Sequence, residues 1–255
     1  MMNIKKIWHI LFTIIILTLS SFASSRSDVQ IIEATENIRY LGQKISKDYL
    51  YLYNNPKKIE LKEELTKDIK MLELSIYNIG MSTINTDSKN ILDFLTYNTN
   101  EIKELLAKNV NKERSILILD YSESFLEGAN SIASVHTYAF SDEEKMLMVM
   151  KELEYLLERV SKYYVASNLN LDKVNNNEHM IKAILKIDNI LKDINRYAYP
   201  VELKKETTQM NMIWKTHREF LYKSEKLFLP NLLDASTKNL EKIVEDIALY
   251  HKQNQ

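Results

Sequence analysis

The chain has 255 residues with three glycines, three prolines and no cysteine, and its 34 basic side chains stand against 35 acidic ones. So few glycines and prolines exclude a turn-rich β protein and a Gly-rich phosphate loop. The missing cysteine excludes a disulfide framework and a lipid-modified cysteine, and the even charge gives no global reason to bind nucleic acid.

Residues 1–23 read as an export signal. Lys5 and Lys6 form a basic region, Ile10 to Leu19 an apolar run of ten, and Ser21-Phe22-Ala23 supplies small residues for cleavage after Ala23. The run is short against the ~20 residues that span a bilayer. The expectation is a periplasmic protein, with an uncleaved inner-membrane anchor as the minority alternative. Removing Lys5 and Lys6 from the 34 leaves 32 basic against 35 acidic residues, a net −3.

From Ile31 the apolar residues Ile31, Ala34, Ile38, Leu41 and Ile45 alternate steps of three and four, the seam of a bundled helix. It should end near Asn54-Asn55-Pro56. A second helix fits Ile59 to Ile79 with Gly80 as its C-cap, and Thr86 or Asp87 is placed to cap a third, Ile91 to Lys108. A fourth runs from Lys112 to Tyr138, with Leu119, Ser122, Leu126, Ala129, Ala133 and His136 at heptad spacing. Ser141 with Glu144 three residues later is a capping box opening a fifth helix, Asp142 to Asn168. Asn175-Asn176-Asn177 reads as a loop before a helix to Tyr197, and Val201 to Leu227 as the seventh helix. Pro230 should break or kink the chain before a last helix from Asp234 to about His251.

The order repeats. Laying Arg39 on Glu154, an offset of 115, places Tyr40 on Tyr155, Gln43 on Glu158, Lys44 on Arg159, Ser46 on Ser161 and Lys47 on Lys162. Leu126 follows Gln43 by 83 residues, and Leu240 follows Glu158 by 82. The sequence therefore predicts an all-α protein of two tandem up-down four-helix bundles, residues 24–140 and 141–255, after the signal peptide.

Enzyme templates do not appear: no Cys nucleophile, GxSxG, P-loop, HExxH or paired Glu-x-x-His is present. His136, His179, His217 and His251 are scattered, with no ligand spacing, so neither metal nor cofactor is expected. Met146, Met148, Met150 and Tyr155 read as core packing of the fifth helix, and Trp214 as a core anchor.

The stretch Arg39-Tyr40-Leu41-Gly42-Gln43-Lys44-Ile45-Ser46-Lys47 resembles the R-M-L-S-Q-R-[IM]-A-K core of the PilJ-type sensor domain of type IV pilus chemotaxis transducers. That family includes the periplasmic part of nitrate/nitrite sensor kinases. Glu158-Arg159-Val160-Ser161-Lys162 is similar in the second copy, and Trp214-Lys215-Thr216-His217-Arg218 looks like the family's W-x-x-[FY]-R segment. The resemblance implies a four-helix, often dimeric, sensor whose first helix binds an anion such as nitrate or nitrite through the arginine matched by Arg39. Gln43 and Lys44 are then candidate ligand-binding residues, and Glu158 and Arg159 their second-copy motif. On the heptad Arg39 faces outward from its own bundle, so an anion would need a partner helix over it. Glu154 replaces the arginine in the second copy, which disfavours an anion there. The expected function is a non-enzymatic binding or sensor module that signals through a separate membrane partner. The alternative is an envelope protein that docks a partner through a helix face.

Overall fold

The computed structural model describes residues 27–223 and 228–255 in full and, for residues 4–26, the backbone alone. The expected signal peptide lies outside the residues described in full, and the seventh helix ends at Tyr222 with Lys223 as its C-cap, short of the expected Leu227. Eight helices make up the described chain: α1 (Ile4–Asn54), α2 (Glu60–Ser82), α3 (Thr86–Leu106), α4 (Lys112–Ser134), α5 (Asp142–Asn168), α6 (Lys173–Arg196), α7 (Val201–Tyr222) and α8 (Pro230–Gln253). None of them, among the described residues, is long and apolar enough to cross a membrane.

The helix starts follow local chemistry. Asn85 Oδ1 accepts from Ser88 N at α3, and Asn111 Oδ1 accepts from Arg114 N at α4. At α5 the Ser141 hydroxyl takes the Glu144 amide while the Glu144 carboxylate takes the Ser141 amide, a complete capping box. Five other expected boundaries move. The cap of α3 is Asn85, not Thr86 or Asp87. Gly80 does not end α2, because the helix runs two residues further and stops at Thr83 in an extended conformation. Asn175 to Asn177 are helical, since Asp172, left-handed at φ 53, caps α6 ahead of them. Pro230 opens α8 rather than breaking the chain, at the first helical position, where a missing N–H costs nothing. His136 lies past the end of α4.

α1 packs on α2 and α4, and α3 closes against both; α5 packs on α6 and α8, with α7 beside them. The two groups meet where α1 lies along α5. The two helices run in the same direction: Glu36 on α1 faces Lys151 and Glu152 on α5, while Lys47 further along reaches Glu158. Both are therefore surrounded. Every residue from Ile45 to Leu52, and nearly every residue from Leu153 to Ser167, is buried, so these helices carry no solvated stripe such as a surface helix shows. Gly42 lets α4 come close to α1: a Cβ there would lie 2.9 Å from Phe125 Cβ. Phe125 is itself wholly buried.

Candidate functional site

The residues singled out in the motif do not converge on one point; the fold distributes them on either side of the α1–α5 seam. Arg39 is not solvated: its side chain is 15% exposed. Its guanidinium pairs with Glu36 one turn back, and Nε donates to Asn130 Oδ1 of α4 at 2.8 Å. Tyr155 of α5 lies close enough to feel its charge. Gln43 is fully buried and donates to the Ser122 carbonyl at 3.0 Å, leaving its own Oε1 without a partner. Lys44 bridges Asp48, at 2.8 Å, and Asp68 of α2. Arg159 is held by both oxygens of Glu123 on α4, at 3.1 and 2.7 Å. Each of these cations is thus already neutralised by a carboxylate.

The seam carries two buried lysines, Lys47 and Lys162, which the 115-residue spacing pairs but which are not among the candidate ligand-binding residues. Lys47 makes an ion pair with Glu158 at 2.8 Å and lies 3.4 Å from both Asp48 and Asp234. Burial pulls its pKa down, but Glu158, Asp48, Glu241 and Asp234 together hold it well above the usual lysine range. Burial, and after it the Glu158 charge beside it, push Glu241 well above the carboxylate range. Lys162, 115 residues after Lys47, donates to Ser122 Oγ at 2.8 Å and to Glu123 at 2.6 Å. Burial dominates there, aided by the adjacent Arg159, and lowers Lys162 to about 8. Burial also works against ionisation of Glu123, yet Lys162 and Arg159 outweigh it and hold that carboxyl at about 2.

The same offset organises the opposite end of each helical group. His136 Nδ1 lies 2.7 Å from Asp28 Oδ1, with Nε2 3.4 Å from Thr83 Oγ1. His251 Nδ1 lies 2.5 Å from Glu143 Oε2, with Nε2 2.9 Å from the Tyr199 hydroxyl. Asp28 to Glu143 and His136 to His251 are both steps of 115. A search of the sequence for charged partners at that offset would have found them. Each histidine ties the end of the last helix of its group to the first helix, at Asp28 midway along α1 and at Glu143 in the first turn of α5. Trp214 is buried as expected, with Nε1 donating to Asp188 at 2.9 Å.

A groove opens between α1 and α8 with α5 as its floor. Glu33 and Asn37 of α1, Leu147, Met148, Lys151 and Glu154 of α5, and Glu245, Ala248, Leu249 and Lys252 of α8 line about 310 Å³. A second hollow of about 190 Å³ adjoins it through Asn37, Lys151, Glu154 and Glu245, and extends to Tyr40, Met71 and Glu241. Glu154 is the common wall. It is 6% exposed, its Oε2 receives Lys151 at 2.8 Å, and its Oε1 is buried without a hydrogen-bond partner. Burial raises its pKa, only partly offset by Lys151, and Glu245 across the groove raises it further. Among the described residues no group of three or more His, Asp or Glu side chains is arranged to hold a metal ion. The arrangement suits the reversible binding of a small polar molecule along a helix seam. Compared with family models, with curated proteins and with solved structures, the chain matches none of them.

Proposed function

We propose that this protein is a non-enzymatic binding or sensor protein of two tandem four-helix modules, of the PilJ/NarX-like kind its first helices resemble. On this reading it is exported by its N-terminal segment and reports to a separate membrane partner. The observation that carries the reading is the groove over α5, walled by α1 and α8 and bearing the unpartnered Glu154 Oε1. A ligand there touches the first helix of both modules and so can bias how they sit against each other. Nitrate or nitrite at Arg39 would have to displace the Glu36 carboxylate and Asn130. The groove is therefore the better place for the ligand.

The test is a thermal-shift screen of small metabolites and ions with Arg39→Ala and Glu154→Gln alongside. A ligand that binds only the folded state stabilises it by about 2.7 kcal/mol at a hundredfold excess over its Kd. The expected result is a shift that Glu154→Gln abolishes and Arg39→Ala leaves in place. A shift abolished by Arg39→Ala alone would return the ligand to the anion position on α1.

One observation favours the docking alternative. Leu74, Tyr77 and Met81 form an i, i+3, i+7 stripe on the solvent side of α2, and Ile84, Phe94 and Tyr97 continue it; all are 48% to 94% exposed. Retention of an envelope partner that is lost with Tyr77→Ser and Met81→Ser, and no ligand response, would support that reading instead.

A further inference from the structure

The two modules treat one position in opposite ways. In the first, Glu36 and Arg39 form an i,i+3 ion pair on α1, and the arginine continues across to Asn130 of α4. In the second, Lys151 and Glu154 form the equivalent i,i+3 pair on α5 with the polarity reversed. The histidine pair and the buried pairs Phe125/Leu240 and Ala129/Val244 set the offset between α4 and α8 at 115, which replaces the Leu126/Leu240 pairing expected from the sequence and lays Asn130 on Glu245. An arginine meeting an amide is thus replaced by a carboxylate facing a carboxylate. The one cation paired with Glu154, Lys151, takes only its Oε2, at 2.8 Å; Oε1 is buried without a partner, and Glu245 lies across the groove from Glu154. The remaining charge along the groove is mixed, with Glu33 on α1 and Lys252 on α8, while Leu147, Met148, Leu249 and Met71 supply apolar surface.

Resting on the binding function proposed above, we infer that the groove takes an organic cation, an ammonium or guanidinium group on a short aliphatic body, which bridges Glu154 and Glu245. The cation stands where the Arg39 guanidinium stands in the first module. A charged donor satisfies the orphaned carboxylate oxygen with a strong hydrogen bond. The aliphatic part covers Leu147, Met148 and Leu249. A bare divalent ion fits less well, since it asks for six or more converging oxygens, whereas these carboxylates are strung along a groove with apolar walls.

The experiment is isothermal titration of the purified protein with n-hexylammonium and n-butylguanidinium, with hexanoate and hexanol as matched anionic and neutral probes. Binding of at least one cation, weakened tenfold or more by Glu154→Gln and by Glu245→Gln, is expected. A triple variant, Lys151→Glu with Glu154→Arg and Glu245→Asn, rebuilds the first module's bridge in the second. It should fold and bind neither cation. Wild-type protein that binds neither cation, or cation binding unchanged in both single variants, overturns the inference. Hexanoate or hexanol binding that depends on Glu154, without cation binding, overturns it too while leaving the groove as the ligand site. A protein that responds to no compound in the wider screen loses the binding reading as well.

Discussion

Lys47 on α1 and Lys162 on α5 stand 115 residues apart and both are wholly buried, yet the first is held well above the usual lysine range and the second is lowered to about 8. The difference lies in what the neighbouring helices bring. Across from Lys47, α5 supplies Glu158 and α8 supplies Asp234. Around Lys162, α4 supplies a single carboxylate, Glu123, that Arg159 shares, while Gln43 of α1, which stands 115 residues before Glu158, is an amide that donates to the carbonyl of the same Ser122 whose hydroxyl Lys162 binds. A buried lysine's charge state is therefore set by the number of anions that reach it and not by its depth, because the desolvation penalty is common to both.

The largest expected effect separates the two lysines directly. Lys47→Met leaves Glu158 buried with no cation and should cost about 3–5 kcal/mol. Lys162→Met leaves Glu123 with Arg159 and should cost less than about 1 kcal/mol, since removing a strained charge offsets the lost contacts. Urea denaturation of both variants measures the gap, and equal losses would break the comparison.

Next in size is a pH effect. The folded pKa of Lys162, about 8, lies below the ordinary lysine value of about 10.4. Between those values the unfolded chain binds more protons, so stability should rise with pH, by about 3 kcal/mol across the window. Lys47, shifted upward, gives no such rise, and its contribution is lost only above the lysine range. Chemical denaturation from pH 7.5 to 10 should show the rise in the parent and a flatter profile in Lys162→Met.

The histidine ties extend the comparison to the other end of the modules. His251→Ala should cost about 2 kcal/mol and His136→Ala about 1, within the range for hydrogen bonds to charged and neutral partners. The order follows from Tyr199 at 2.9 Å against Thr83 at 3.4 Å. Thermal melts of the pair decide it.

The smallest effect sharpens the cause. Gln43→Glu copies the Glu158 side of the other repeat and should raise the Lys162 pKa by at least about one unit, equivalent to about 1.4 kcal/mol. NMR titration of lysine side-chain carbons would read it, and an unmoved Lys162 would mean that the residue opposite does not govern the lysine.

Much of this organisation was legible in the sequence, and the part that was not has a common physical origin. The bounds of α5 were readable because the Ser141–Glu144 box is a local device that spends all its partners within one turn. The 115-residue offset exposed the kinship of Lys47 and Lys162. Local signals misled where a residue tolerates more than one role. A Cβ on Gly80 would meet only Leu92 Cδ1 at 3.8 Å, ordinary contact, and the helix simply continues. Asn176 reads as loop-forming but turns its side-chain amide onto the Leu171 carbonyl from inside α6. Arg39 was placed outward because a heptad describes one bundle. The second helical group and Asn130 supply the cover that a single-helix pattern cannot contain. The partners of Lys47 lie 111 and 187 residues away, beyond any helical periodicity.

The parallel run of α1 beside α5 has an evolutionary consequence. Two identical chains meeting through one such helix around a two-fold axis present every charge near the axis to its own copy, so any substitution there is made twice and like faces like. A single chain that carries both helices escapes that constraint. Glu36–Arg39 can lie opposite Lys151–Glu154 with reversed sign, and one carboxamide can become a carboxylate while its counterpart stays an amide. The short connection from Ser134 to Asp142 also raises the effective concentration of one half at the other to about the millimolar range. The seam then need not be strong enough to hold two separate chains together, which leaves its polar positions open to specialise for recognition.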